Sequence, residues 1–264
     1  MTTDSPTYRT GLGASDADHI WLLGEDLADD LLGRITFGEL AYWMVCKRRP
    51  TEGQRALFEA VLVALADHGF TPTAIAARVT YLSAPDSLQG AVASGLLGGG
   101  SRFLGVTEDA ANFLHDVIEG CDDLPTDEAG WDDLARRVVA EARAERRFVP
   151  GLGHPVHKER DPRTPRLFEL AREHDVFGPH LALFAGIGRV AEEVLGRRLP
   201  LNGAGVCGAV LADIDFPLGV ARGAALLARC AGLLGQLAEE ISDPIANDMY
   251  MNIDRNTDYQ PPVG

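Results

Sequence analysis

The chain has 264 residues, with 39 acidic side chains against 24 lysines and arginines, and a formal net charge of −15. A hydrophobic fraction of 46% with 24% charged residues is typical of a globular protein and excludes a disordered chain. The acidic balance argues against nucleic acid as a partner, because phosphate binding needs a basic surface, but a few local arginines can still form a pocket for an anionic small molecule.

Apolar periodicity predicts helices along almost the whole chain. Thr36 and Glu39 have capping-box spacing directly before the apolar run LAYWMV. From Thr51 onward, apolar residues at offsets of three and four mark one helix face, with Gly69 as the predicted stop. Because no strand-type alternation bounded by hairpin turns appears, the sequence predicts an all-α fold. Further helices are predicted at residues 71–82, 87–97, 107–118, 132–148, 164–174, 179–195 and 216–240.

Three segments interrupt the predicted helices: a glycine-rich stretch at 96–105, an acidic stretch at 121–133, and VPGLGHPVHKERDPRTP at 149–165. The last is the most informative. A loop rich in proline and glycine is expected to hold backbone amides open for a ligand, while its histidines, lysine and arginines supply chemistry and charge. A solvated basic loop preceding the next helix is an equally good interpretation of its composition.

His154 and His157 lie three residues apart in this loop. Pro155 interrupts any helix that would align the two rings, and no third ligand stands at a familiar distance, so no metal site is predicted. Lys158 and Arg163 favour an anionic ligand instead.

The cysteines and the N-terminal residues indicate in which cellular compartment the protein is expected. The four cysteines are irregularly spaced with no C-x-x-C pair, which predicts buried small hydrophobic residues. Residues 1–19 lack a basic region followed by an apolar one, so no secretory signal is predicted. No apolar run is expected to reach the length of a membrane span. The sequence therefore predicts a cytoplasmic protein with no membrane partner.

The segment FVPGLGHPVHKERDPRTPRLFELA, residues 148–171, resembles the signature of the citrate synthase superfamily. In that signature a V-P-G-x-G-H loop is followed nine residues later by the arginine of D-P-R, as His154 and Arg163 are here. The glycine-rich stretch and the L-N-x-x-G form at 201–205 resemble citryl-CoA lyases and the citrate synthase-like module of ATP-citrate lyase. Segments 65–80, 199–216 and 226–240 also resemble family segments, in the same order.

The resemblance implies an all-α, citrate synthase-like fold with two domains. Residues 1–105 and 223–264 would form a large helical domain, and residues 106–222 a smaller, hinged helical domain that carries the coenzyme A loop. It also implies a homo-oligomer, a dimer or higher, because active sites of the family are usually completed at or near a subunit interface. The tail at 241–259 suits that contact, and equally suits packing on its own subunit.

The implied reaction is retro-Claisen cleavage of citryl-CoA, or a related 3-hydroxy-3-carboxyacyl-CoA, to acetyl-CoA and oxaloacetate. By resemblance, His154 is the acid/base group and His68 a second catalytic residue, while His68, Arg163 and Arg229 bind the carboxylates. The partners are acyl-CoA and dicarboxylate small molecules, with coenzyme A as part of the substrate and no tightly bound cofactor. The implied coenzyme A contacts are the loop backbone at Val149, Gly151, Leu152 and Gly153, and Lys158 near the phosphates.

The residues by themselves allow other interpretations. His68 closes an amphipathic helix, where a histidine is favourable simply through the helix dipole. Arg229 lies inside the apolar run LLARCAGLL, where a lone arginine needs a buried anionic partner, either substrate or side chain.

Ala204 is the first departure from the family pattern. It stands where the family has a catalytic aspartate, and it cannot move a proton. Asp213 and Asp215 are about nine residues further along, or over 13 Å if the segment is helical, which makes them poor substitutes.

Phe103 is the second departure. It stands where citrate synthases have the histidine that steadies the enolate oxygen, which favours a lyase. The glycine-rich stretch is expected to offer backbone N–H donors to the thioester oxygen instead. The alternatives to a lyase are a citrate synthase-type condensing enzyme and a catalytically silent acyl-CoA-binding homologue.

Overall fold

The computed structural model describes residues 7–262, and it confirms the predicted helical class. Short helical turns at Leu27–Leu31 and Leu218–Val220 accompany the regular helices. The helices are α1 (Phe37–Cys46), α2 (Glu52–Ala66), α3 (Pro72–Ser83), α4 (Leu88–Leu97), α5 (Val106–Glu119), α6 (Glu128–Ala144), α7 (Arg163–Glu173), α8 (Pro179–Leu195), α9 (Gly203–Asp213), α10 (Ala221–Ser242) and α11 (Ala246–Arg255).

A small antiparallel sheet precedes the helices, which the sequence did not predict. Its strands, in the order β1-β2-β3, are Gly13–Ser15, Ile20–Leu22 and Glu25–Asp26. Strands of two or three residues are too short to show an alternating pattern, and they contribute nothing to the buried core.

The caps of α1 and α2 lie where their helices are predicted to start, whereas other helix bounds differ from the prediction by up to five residues. The side chain of Thr36 accepts the N–H of Glu39 at the start of α1, and Thr51 forms a capping box with Gln54 at the start of α2. Helix α2 ends at Ala66, three residues before the predicted stop at Gly69. Helix α6 begins four residues earlier and ends four residues earlier than predicted.

Helix α9 lies at the centre of the fold, and its periodicity did not reveal it. Nine of its eleven residues are buried, because α2, α5, α7 and α8 all pack around it. A helix covered on every side has no polar face, so it carries no helical period in its sequence. Gly208 permits the closest approach, since a Cβ there would overlap the carbonyl oxygen of Thr107 on α5.

One apolar core runs through most of the helices. It contains Phe58 and Leu65 from the predicted large domain together with Leu211 and Phe216 from the predicted small domain. The rings of Phe58 and Phe216 stack with centroids 5.3 Å apart. The division of the chain into two hinged domains stays a prediction.

The C-terminal tail packs on its own chain, through α11 against α3. The buried carboxylate of Glu240 fixes it by accepting the N–H groups of Ile245 and Ala246 at the start of α11. Tyr250 and Ile253 remain more than half exposed on α11. Oligomerisation through this tail stays a prediction.

By length and composition alone, Leu218–Ser242 is apolar enough to cross a membrane, so the expectation of no such run is wrong. This is weak evidence for a span, because the core helix of a globular protein satisfies the same criterion. Here α10 packs against α2, α3 and α4, and it carries the buried charged residues Arg229 and Glu240. Within the described chain, 33% of that apolar window is buried.

Candidate active site

Three imidazole rings converge between the end of α2 and the loop that joins α6 to α7. The ring centroids of His68 and His154 lie 5.2 Å apart, those of His68 and His157 5.4 Å, and those of His154 and His157 4.5 Å. All three rings are partly buried. The structure therefore brings His68 and His154 together, as the resemblance implied. It adds His157, which the sequence offered only as a metal ligand.

The ring of His154 is held in one orientation by its own loop. Its Nδ1 accepts the backbone N–H of Val156 at 3.1 Å and that of His157 at 2.9 Å. Because both partners donate, Nδ1 carries no proton, and the neutral ring has its proton on Nε2. Burial lowers the pKa of His154 from 6.5 to about 4, so the ring is neutral at physiological pH. In this orientation Nε2 is a hydrogen-bond donor, whereas the sequence suggested an acid/base role.

The same hydrogen bonds bear on a metal site. His68 supplies the third imidazole that the sequence lacked, and the candidate ligand atoms of the three residues lie within 4.8 Å of one another. However, an imidazole that binds metal through one nitrogen normally donates a proton from the other. Nδ1 of His154 instead accepts two hydrogen bonds from backbone N–H groups, so it has no proton to donate. The donor set therefore does not fit a metal ion.

Arg163, at the start of α7, is aimed by a buried carboxylate. Asp161 is fully buried, and it accepts the Nε of Arg163 at 3.0 Å and its Nη2 at 2.7 Å. It also accepts the backbone N–H of Gly203 at 2.7 Å. These donors hold the pKa of Asp161 at about 2 although burial opposes ionisation. The sequence analysis named Arg163 but missed Asp161. The D-P-R motif could have revealed it, because Asp161 is the first residue of that motif.

Arg229 on α10 has more donors than partners. Only 5% of the residue is exposed, and its Nη1 lies 3.6 Å from Oδ1 of Asp67. Its Nε and Nη1 find no hydrogen-bond partner among residues 7–262. Desolvation, together with the like charge of Arg163, lowers the pKa of Arg229, while Asp67 opposes that shift. A buried guanidinium with free N–H groups forms a ready site for an anion such as a carboxylate.

The loop expected to hold coenzyme A is anchored to the segment before α9. The N–H of Gly153 donates to the carbonyl of Pro200 at 2.7 Å, and the N–H of Leu152 donates to that of Val149 at 3.2 Å. Asn202 closes the contact, because its Nδ2 donates to the carbonyl of Gly153 at 2.8 Å. The expectation that the loop holds these two amides open is therefore wrong.

The other residues assigned to this loop are also tied down. Gly151 has a φ of +89°, and a Cβ there would overlap Phe184 and Gly205, so only glycine fits. Val149 is buried, and Lys158 is exposed with its Nζ donating to the carbonyl of His154 at 3.1 Å. A role for Val149, Gly151, Leu152, Gly153 and Lys158 in coenzyme A binding stays a prediction.

Neither distal aspartate of α9 replaces the missing carboxylate at Ala204. Asp213 is fully buried and accepts the N–H groups of Gly178 and Leu181 at the start of α8. Asp215 pairs with Arg48 at 3.0 Å. Both lie at the end of α9 opposite to Ala204, which is in its first turn.

Three amides of the glycine-rich stretch are already used, contrary to the expectation that it offers them to the thioester oxygen. The N–H groups of Gly98, Gly99 and Gly100 donate to the carbonyls of Ser94, Leu96 and Gly98. All three are therefore occupied within the turn. Phe103, in place of the family histidine, is 44% exposed.

Comparisons with known proteins confirm the citrate synthase-like fold. The sequence profile described as the citrate synthase C-terminal domain matches residues 26–249. The solved structure of citryl-CoA lyase from Hydrogenobacter thermophilus shares 28% identity and a TM-score of 0.84, with 98% of this chain and 97% of that chain covered.

Two further relatives are larger than this chain. A citrate synthase from Synechocystis is 25% identical over 209 residues, which cover 76% of this chain and 48% of that protein, so the chain spans about half of its length. The ATP citrate lyase of Methanosaeta concilii, solved in complex with (3S)-citryl-CoA, shares the fold, with a TM-score of 0.77 at 22% identity over 98% of this chain and 42% of that one.

Proposed function

The chain belongs to the citrate synthase family, and we propose that it is a citryl-CoA lyase-like enzyme. It would cleave citryl-CoA, or a related 3-hydroxy-3-carboxyacyl-CoA, to acetyl-CoA and oxaloacetate. The likeness to a citryl-CoA lyase, at 28% identity and a TM-score of 0.84, supports this activity over condensation, as does Phe103 in place of the histidine of citrate synthases. Coenzyme A enters as part of the substrate.

The observation that carries the proposal is the buried guanidinium of Arg229, which lies near Arg163 and has two nitrogens that donate no hydrogen bond. Nε and Nη1 of Arg229 donate no hydrogen bond, and Arg163 keeps N–H groups beyond those that bind Asp161 and the carbonyl of Ala64, so the two arginines together suit a dicarboxylate. Two arginines that repel each other gain stability when an anion binds between them. His68 directly follows Asp67, the ion-pair partner of Arg229, which supports its assignment to the carboxylates.

His154 would act on the hydroxyl oxygen bonded to the carbon whose carbon–carbon bond breaks. Its Nε2–H donates to the hydroxyl oxygen of citryl-CoA, and to the same oxygen as it becomes the ketone of oxaloacetate. A donor fixed by its own loop costs no reorganisation when charge develops on that oxygen. The coenzyme A portion would lie along the loop of residues 149–153, with Lys158 near its phosphates.

We extend the proposal to the cellular compartment and the oligomeric state of the enzyme. Its four cysteines are free, as in a cytoplasmic protein, and we place it there as a homo-oligomer.

Ala204 favours a second candidate, a homologue that binds acyl-CoA without turning it over. The family aspartate moves the proton of the acetyl carbon, and general acid–base catalysis of this kind contributes about 10²–10⁴-fold. Its loss weighs most against condensation, because water can reprotonate an enolate but can hardly form one.

The test is release of acetyl-CoA and oxaloacetate from citryl-CoA by the parent protein and by Ala204→Asp. Ala144→Asp, which adds the same charge at an exposed position of α6, is the matched control. Cleavage by the parent supports the lyase, and a faster Ala204→Asp variant supports the alignment at residue 204. If parent and variant both bind coenzyme A thioesters and neither cleaves citryl-CoA, the binding protein is the better assignment.

A further inference from the structure

Cleavage of citryl-CoA requires transfer of the hydroxyl proton, and neither Ala204 nor His154 can accept it. The hydroxyl group must lose a proton as it becomes a ketone, and the methylene carbon of the departing enolate must gain one. Ala204 has no titratable group, and Nε2 of His154 already carries a proton. The site therefore needs another base.

We propose that His157 is that base, and that it also returns the proton to the enolate carbon. This proposal rests on the lyase function proposed above. Imidazole suits both steps, because it accepts and releases a proton near neutral pH.

The placement of His157 carries the argument. Its ring stacks on that of His154, with centroids 4.5 Å apart and planes 30° apart, and one nitrogen of each ring lies within 4.8 Å of the other. Its neighbours Val156 and Lys158 are exposed, whereas His157 is partly buried. The loop thus turns this one side chain inward, toward the oxygen that His154 would bind.

His68 is the competing imidazole, and its neighbours separate the two roles. His68 directly follows Asp67, whose carboxylate faces Arg229, so it belongs to the carboxylate end. His157 extends from the loop that begins at Val149 and is assigned to coenzyme A. It therefore lies on the thioester side, where the enolate forms.

The step balances with one imidazole. The bond between the carbinol carbon and the methylene carbon breaks, and its electron pair passes into the thioester enolate. The electron pair of the O–H bond becomes the second carbon–oxygen bond of the ketone, and the proton passes to the free nitrogen of His157. The resulting imidazolium then gives that proton to the methylene carbon, forming the acetyl group. Both atoms are bonded to the same carbon in citryl-CoA, so one ring can serve both without leaving its position.

The backbone of His157 makes the test selective. Its N–H holds Nδ1 of His154, and His157→Ala keeps that N–H while removing the ring. We expect kcat for citryl-CoA cleavage to fall by about 10²–10⁴-fold, with KM changed less than about threefold. Imidazole added to the buffer should restore part of the lost rate. His157→Gln, which fills the space without titrating, should lose as much as His157→Ala, and it replaces that variant if the alanine protein does not fold.

His19→Ala, in the turn between β1 and β2, is the control for removal of a histidine and should keep the parent rate. Equal kcat for parent and both His157 variants overturns this proposal alone. A rise in KM with unchanged kcat and no effect of imidazole does the same, because it makes the residue a binding group. A parent protein that folds, binds coenzyme A and cleaves no citryl-CoA overturns the proposed function, and this proposal with it.

Discussion

The guanidinium of Arg163 lies directly over Gly203, so that a Cβ at residue 203 would overlap its Nε and Cζ atoms. The N–H of the same glycine binds Asp161, which holds Arg163 in place. The start of α9 and Arg163 therefore hold each other in position. Any side chain at residue 203 must displace the arginine.

Gly203→Ala should weaken substrate binding without unfolding the protein. A displaced Arg163 loses a charge-assisted hydrogen bond to a carboxylate, which contributes about 1.5–3 kcal/mol, so oxaloacetate affinity should fall by about 10- to 100-fold. Isothermal titration calorimetry with oxaloacetate measures this. Gly235→Ala, at an exposed position of α10 with no atom within 4 Å of the new Cβ, is the matched control. Equal affinity in both variants contradicts the coupling.

Arg229→Met should separate stability from binding. The variant removes a buried charge with unpartnered N–H groups, and Asp67 keeps its hydrogen bonds from Gly69 and Gln236. We expect the free energy of unfolding to stay the same or rise by about 1 kcal/mol, while oxaloacetate affinity falls by about 100-fold. Urea titration and calorimetry measure the two effects.

Arg78→Met is the control for removal of a buried arginine, because Arg78 has hydrogen-bond partners, which Nε and Nη1 of Arg229 lack. Arg78 is fully buried and pairs with Gln236, Glu239 and Glu240, and the last of these carboxylates is itself buried. Its loss should lower the free energy of unfolding by about 3–5 kcal/mol. If the two variants destabilise the protein equally, Arg229 is a structural residue.

Asp161→Asn should cost stability only where Asp161 is ionised. Its folded pKa of about 2 lies below the ordinary 3.8, so its ionisation contributes stability above pH 3.8 that is lost as pH falls through 2. The two pKa values correspond to about 2 kcal/mol. Urea titrations of parent and variant should differ by at least this amount at pH 6, and the difference should shrink by about 2 kcal/mol toward pH 2. A difference independent of pH contradicts the assignment.

His154 should stay neutral, with its proton on Nε2, throughout the physiological pH range. Nitrogen-15 chemical shifts report the tautomer directly, and the resonance is assigned by its absence in His154→Gln. We expect a titration midpoint at about 4, since burial lowers the pKa of this ring. A midpoint near 6.5, or a proton on Nδ1, contradicts the two hydrogen bonds from the loop.

Helix positions followed from the sequence where a helix has one buried face. Helix α8 begins at Pro179 and ends at Leu195, as its periodicity predicts. Helix α9 did not, because neighbours cover it on all sides and no polar face marks its period. The tripeptide strands before α1 are too short for any pattern to detect.

The sequence by itself determined the helical class, the cap at Thr36, and the family motif that links His154 to Arg163. Those features depend on residues close together in the chain, where spacing and residue type are enough. Only the tertiary structure decided that His157 joins His68 and His154, that Asp161 holds Arg163, and that Arg229 keeps free N–H groups. Such pairings depend on how distant segments pack and on which hydrogen bonds that packing leaves unmade, which no local pattern records.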